Sequence, residues 1–344
     1  GCTALTAISA DTLRNQENLT NATSMFEGCT AVTYIPSGLI SQCRQLTNAT
    51  QMFQNCTSLT YYPNTLLLNN AALTTRTNMF AGCSNTNPTF YTKAQLESNG
   101  YYVELYDTEA TDENGNAAGI PFNLTGQTVT LTVDWGDSNT DSLTSSNYTA
   151  SDSTASVHQY ANLGLYFVSI QSTDWSNTYV TLIGIASAPT SSPTNALSAI
   201  CTRQNTLIEA SVSIPVLKGR KYYSSYTATS LTTDSDNKSI YLHYYAYCRK
   251  LKNICSGLFD NNTAVTTFYY CFNGCASLQS ISEGLFDKNT AVTDFSGCFN
   301  NCTSLQSIPS GLFDKNTRVT NFISCFNNCS SLQSIPSGLF DNNT

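Results

Sequence analysis

Fourteen cysteines carry most of the reactive chemistry in this chain of 344 residues, and eight of them keep a fixed interval. Cys2, Cys29, Cys56 and Cys83 stand 27 residues apart, as do Cys248, Cys275, Cys302 and Cys329. A second set, Cys271, Cys298 and Cys325, lies four residues ahead of the last three. Thiols so arranged fill a core, form bridges or hold a metal. Zinc requires histidines or a second matched pair nearby, and the chain has only His158 and His243, so no metal site is expected of the cysteines. Met25, Met52 and Met79 occupy the place of Cys271, Cys298 and Cys325 in the N-terminal repeats. A column that takes either residue asks for an apolar sulfur side chain, which favours buried, inert thiols. The competing reading is a disulfide in an oxidising setting, with Cys271, Cys298 and Cys325 as the candidates, because stacked coils bring column neighbours to about 5 Å. Cys43, Cys201 and Cys255 fall outside both sets.

Other chemistry is sparse. No Ser-His-Asp order, shared carboxylate pair or phosphate-cradling glycine loop stands out, so no catalytic residue and no cofactor are expected. Asp134 and Asp137 in "DWGDSNTD" are weak calcium candidates, with a turn-stabilising role as the stronger reading. Eleven N-x-S/T sequons occur. Asn55, Asn301 and Asn328 directly precede a lattice cysteine, whereas Asn21, Asn48, Asn261 and Asn342 fall on the opposite turn and are the glycosylation candidates.

What positions these residues is a repeat. Leu5, Val32, Leu59, Leu278, Leu305 and Leu332 share one phase of the 27-residue period; Phe26, Phe53, Phe80, Phe272, Phe299 and Phe326 share another. One coil cannot offset its own ordering cost of roughly 1–2 kcal/mol per residue, so coils must stack and share their apolar faces. The residue before each lattice cysteine alternates between Gly (Gly28, Gly82, Gly274) and Asn (Asn55, Asn301, Asn328), which predicts a turn with positive φ. Asn300 and Asn327 are placed to stack side-chain amides from coil to coil.

Units such as "MFEGCTAVTYIPSGL" and "CFNNCTSLQSIPSGLF" resemble the F-x-G/N-C-x-S-L-x-x-I-P units of bacterial leucine-rich-repeat surface proteins of the BspA-like type. The resemblance covers about residues 1–83 and 240–344. It implies secretion, a surface location, and adhesion or binding in place of catalysis.

Between Cys83 and Cys248 the period is lost. "TKAQLESNG" predicts a short helix with Thr92 as N-cap. "YYVELY", "QTVTLTVDWGD", "GLYFVSIQS" and "TYVTLIGI" predict β-strands. Trp135, Gly136 and Asp137, followed by His158, Tyr160, Gly164, Tyr166 and Val168, resemble the W-G-D-G and H-x-Y-x-x-x-G-x-Y-x-V signature of PKD-type immunoglobulin-like domains, with Ser138 where a glycine is usual. That resemblance implies a spacer or binding module in which His158 is structural.

The expected fold is mainly β: a leucine-rich-repeat solenoid of 27-residue coils interrupted by an Ig-like β-sandwich. The parts are a solenoid at 1–90, a connector at 91–100, a PKD-like sandwich at 101–187, a linker and atypical capping coil at 188–240, and a second solenoid at 241–344, arranged as an elongated array. The sequence opens and closes inside a repeat, which reads as a piece of a longer polypeptide. A charge of -8 with only 15 Lys and Arg argues against nucleic acid. No apolar run reaches the ~18 residues of a membrane span. The expected function is non-catalytic: an extracellular surface adhesin or filament component that contacts copies of itself, neighbouring surface proteins or glycans. The alternatives are a bacteriophage fibre or capsid-decoration protein and, more weakly, an accessory region of a carbohydrate-active enzyme.

Overall fold

The computed structural model describes residues 1–108, 117–119, 122–123, 128–144, 157–175, 179–183, 207–211, 219–223, 231–233 and 245–343. Cys201, His243, the sequons at Asn147 and Asn237, and most of the residues read as a linker and capping coil at 188–240 lie outside them. The chain is mostly strands with one short helix among the described residues.

The repeats stack with a 27-residue register. Parallel bridges join Asn21 to Asn48 and Asn48 to Thr75, and likewise Thr267 to Asp294 and Asp294 to Asn321. Alternate backbone N–H groups of one coil donate to the next: Ala22 to Asn48 O, Ser24 to Thr50 O, Phe26 to Met52 O and Gly28 to Gln54 O. The same four bonds recur from Ala49, Gln51, Phe53 and Asn55 to Thr75, Thr77, Met79 and Ala81. Successive coils therefore satisfy backbone groups that neither could satisfy alone.

Side chains follow the same register. Phe26, Phe53 and Phe80 stack at 5.5 Å between ring centroids. Phe272, Phe299 and Phe326 stack at 5.3 and 5.5 Å. The second run adds two further Phe columns, one through Phe259, Phe286 and Phe313 and one through Phe268 and Phe295. The Met-for-Cys exchange has a matching change beside it in the middle coil. Where the second run buries Phe295 with Cys298, the first buries Ala49 with Met52, so the longer sulfur side chain stands beside the smaller neighbour in that coil.

The expected positive-φ column is present at Gly28, Gly82 and Gly274 and at Asn55, Asn301 and Asn328. A second such column, through Ser24, Gln51, Asn78, Tyr270, Gly297 and Ser324, escaped the sequence reading because its residue types share no preference for that region.

Between the runs, α1 (Lys93–Ser98) is closed by a capping box in which Thr92 and Gln95 exchange backbone and side-chain bonds. An open mixed sheet of six strands follows the order β12-β9-β1-β7-β4-β5. Its members are β1 (Tyr101–Asp107), β4 (Thr130–Asp134), β5 (Thr140–Thr144), β7 (Leu165–Ser172), β9 (Leu207–Ala210) and β12 (Asn253–Ile254). A four-stranded sheet joins β3 (Phe122–Asn123), β8 (Tyr179–Ile183), β10 (Gly219–Tyr223) and β11 (Leu231–Thr233), while β2 (Ala117–Gly119) pairs with β6 (Val157–Gln159).

Both faces of β1 are buried. One face, with Tyr102, Tyr106 and, from neighbouring strands and the turn after β4, Val133, Ile170 and Trp135, shares a core with the second run of coils. The other, with Val103, Leu105, Leu165 and Phe167, packs on Leu96 of α1 and on Leu68 and Tyr91. The six-stranded sheet thus lies between the two runs, and the expected elongated row of separate modules gives way to side-by-side packing. β9 is antiparallel to β1 on one edge and parallel to β12 on the other, which carries the sheet into the second run.

Candidate functional site

Among the described residues, two of the places where polar side chains from distant parts of the sequence meet bear on function. The first is the Trp-Gly-Asp turn where the sheet meets the first run. Asp134, at the end of β4, accepts from Tyr61 Oη at 2.6 Å and from the Gly136 N–H at 2.9 Å. Asp137 lies 2.8 Å from His158 Nε2 and accepts from the Asn139 N–H. Trp135 donates its Nε1–H to Asp141 and stacks on His158, while Tyr160 donates to the Trp135 carbonyl. The carboxylates of the two calcium candidates thus have partners within the chain. Among the described residues no group of three or more His, Cys, Asp or Glu side chains is arranged to hold a metal.

Burial raises the pKa of Asp134, and its bonds to Tyr61 and Gly136 offset part of that rise. Burial pushes Asp137 the same way, but the hydrogen bond and charge of His158, helped by Asn139, reverse this and hold it below the usual carboxylate range. A depressed carboxylate contributes stability that is fully present above its unfolded value, about 3.9, and is lost as pH falls through the lower folded value. Asp137→Asn is therefore expected to lower the thermal midpoint at pH 6 and to flatten its decline below about pH 4. Calorimetry of both proteins from pH 6 to pH 2.5 checks this, and parallel curves would contradict it.

The second place is a cleft of about 570 Å³ where β9 meets both runs. Glu209 of β9, 6% exposed, accepts from Arg44 at 2.7 Å, Asn69 at 3.0 Å and Ser211 at 3.1 Å. Lys93 donates to the Ser256 carbonyl. Burial pushes the Cys255 thiol up to about 12, with Lys93 offsetting only part of the rise, so it is a poor nucleophile at neutral pH. The cleft's charged side chains are bonded to the protein itself; it offers serine and asparagine groups to a polar ligand and no activated group.

The lattice cysteines do structural work. Cys56, Cys83, Cys275, Cys302 and Cys329 each donate S–H to a carbonyl 30 residues earlier, at 3.0–3.2 Å. The described cysteines are free in this structure, and Cys271, Cys298 and Cys325 are buried in one column. Burial raises the Cys298 and Cys325 thiols well above their ordinary value. Alkylation of the native chain is expected to reach exposed Cys2 quickly and the buried Cys271, Cys275, Cys298, Cys302 and Cys325 only after unfolding without reductant. Intact-mass counting checks it; a shortfall of two labels per bridge after unfolding would contradict it.

A ladder that the sequence reading missed runs beside the cysteines. Asn70, Asn289, Asn316 and Asn343 each donate two Nδ2–H bonds to carbonyls 27 and 30 residues earlier. Cys43 stands 27 residues before Asn70, so it belongs to this column and is not off the lattice. The identical interval in "FDKNT" was the available signal. The amide stacking expected of Asn327 on Asn300 is present at 3.2 Å, with a parallel pair from Asn328 to Asn301 at 3.0 Å. Exposure does not separate the sequons as expected. Asn21, Asn261 and Asn342 are exposed and Asn48 is half-buried, but Asn55 and Asn328 are exposed too.

No helix among the described residues is long and apolar enough to cross a membrane. No curated protein matches the chain. The stacked coils, however, coincide with two stretches of family similarity, residues 12–93 and 249–339, which together make up about half of the chain. By that match the chain belongs to the family described as Mycoplasma protein of unknown function, DUF285.

Proposed function

We propose that the chain is a non-catalytic, surface-displayed binding or filament component whose stacked coils present a regular polar face to other proteins or glycans. In this reading the coils are a leucine-rich-repeat-like solenoid and the strands between them are a PKD-type, Ig-like module that spaces and braces the two runs. One observation carries it. Most of the repeat's cysteines are taken up inside the coils, whereas its outward columns include rows of short polar groups. Thr47 and Thr74 donate Oγ1–H to the carbonyl 27 residues earlier, as do Thr293 and Thr303 in the second run. Such rows fix hydroxyl spacing without spending charge, which suits broad, shallow contact over turnover. Membership of a repeat family supports the same reading.

Labelling intact source cells with a membrane-impermeant reagent, beside binding of the purified chain to glycan and host-protein panels, tests it. Labelling without lysis together with saturable binding is expected. Labelling only after lysis, or turnover of a panel member, would overturn it.

A further inference from the structure

From Ala22 to Gly28 and from Ala49 to Asn55 the bonds between coils run one way: N–H groups of one coil point at carbonyls of the next. The third coil of the first run has no next coil, because the chain leaves for α1 and the sheet. The N–H groups of Arg76, Asn78, Phe80 and Gly82 are the equivalents of Ala49, Gln51, Phe53 and Asn55, and among the described residues they have no acceptor. These residues line an open groove of about 440 Å³ together with Thr86, Pro88 and Phe90.

We propose that this groove docks an extended polypeptide segment supplied by another chain, whose alternate backbone carbonyls accept from Arg76, Asn78, Phe80 and Gly82. The occupant follows from continuity with an interface already built. The same row of four donors binds four alternate carbonyls between the first and second coils and again between the second and third. A compact anion would engage two or three converging donors, whereas a spaced row matches a chain, as in recognition by strand addition. A whole coil does not fit. Residues 84–91 already take the place of its other half: the Tyr91 N–H donates to Asn64 O, 27 residues earlier, and Phe90 packs on Phe80 at 5.6 Å. Only a single extended segment can complete the edge. An open row of backbone donors is a template for pairing unless it is blocked, and the groove leaves this one open. The inference rests on backbone geometry and does not depend on the surface reading.

The probe is the synthetic nonapeptide TNATQMFQN, residues 47–55, whose carbonyls at Asn48, Thr50, Met52 and Gln54 serve as acceptors within the chain. Residue-resolved amide exchange of the full chain is measured with and without it, and affinity by fluorescence anisotropy. In the free protein the amides of Arg76, Asn78, Phe80 and Gly82 should exchange fast while those of Ala49, Gln51, Phe53 and Asn55 exchange slowly. The peptide should bind saturably and protect the fast four. Esters in place of the amides after Thr50 and Met52, which weaken two acceptors, should lower affinity about tenfold. Slow exchange of the four amides in the free protein would overturn the proposal, as would protection only at other residues or none at millimolar peptide. So would equal protection by inorganic phosphate or sulfate with displacement of the peptide, the result for an anion site.

Discussion

Phe286→Ala is expected to cost about 3–5 kcal/mol, the range for emptying a fully buried aromatic position. Phe286 is 0% exposed and lies where two columns cross. It stacks on Phe259 at 5.8 Å and Phe313 at 6.2 Å along its own column, and meets Phe268 and Phe295 of the next at 4.7 and 4.8 Å. With Phe299 at 6.2 Å as the fifth neighbour, alanine there leaves a void in five ring contacts, and the stacked backbone cannot close it, because each coil is pinned to its neighbours by bonds in register. Phe340, in the same column but 40% exposed, serves as the control. Phe340→Ala should cost well under half as much. Denaturant midpoints of the two variants check this, and equal shifts would contradict the stacked core.

Gly38→Ala is expected to separate the first run of coils from the sheet. A Cβ at Gly38 would lie 2.3 Å from the Leu165 carbonyl oxygen and 2.5 Å from its carbon, both backbone atoms of β7. The same contact is held by Ser37, whose N–H donates to Gly136 O at 2.9 Å and whose Oγ bonds both the N–H and the carbonyl of Phe167. Arg14 adds a two-pronged pair with Asp107 at 2.8 and 2.9 Å. Because the clash is with backbone, no rotamer relieves it, and a loss of about 3 kcal/mol or more is expected. A single unfolding transition should split, with the first run melting early. One transition with an unchanged midpoint would show that the run does not dock as described.

How much of this was legible in the sequence depends on the range of the interaction. The coil register was, since Phe26, Phe53 and Phe80 repeat at an interval that only stacking explains. The Gly/Asn turn was legible because those residues share a backbone preference; the Ser24-Gln51-Asn78 column was not, because its strain is imposed by the ladder bonds around it. Thr92 announced its helix through local capping chemistry. The packing of both runs on the sheet was hidden. Tyr61 with Asp134 and Arg44 with Glu209 pair residues 73 and 165 positions apart, and neither partner carries a sign of the other. At the candidate sites, Asp134 and Asp137 were identified as a turn, but the docking of that turn on Tyr61 had no local signal. The Met-for-Cys exchange could be read as a change of sulfur side chain. The paired change from Phe295 to Ala49 three residues earlier appears only when the two runs are superposed in phase.

The central claim is that the repeat exists to stack, each coil closing its backbone on the next. Residue-resolved amide exchange of the native chain tests it most directly. The account predicts strong protection at Phe26, Phe53, Phe272 and Phe299, whose N–H groups donate to Met52, Met79, Cys298 and Cys325, with protection lost together on unfolding. Exchange at those four amides as fast as at exposed turn residues would contradict it.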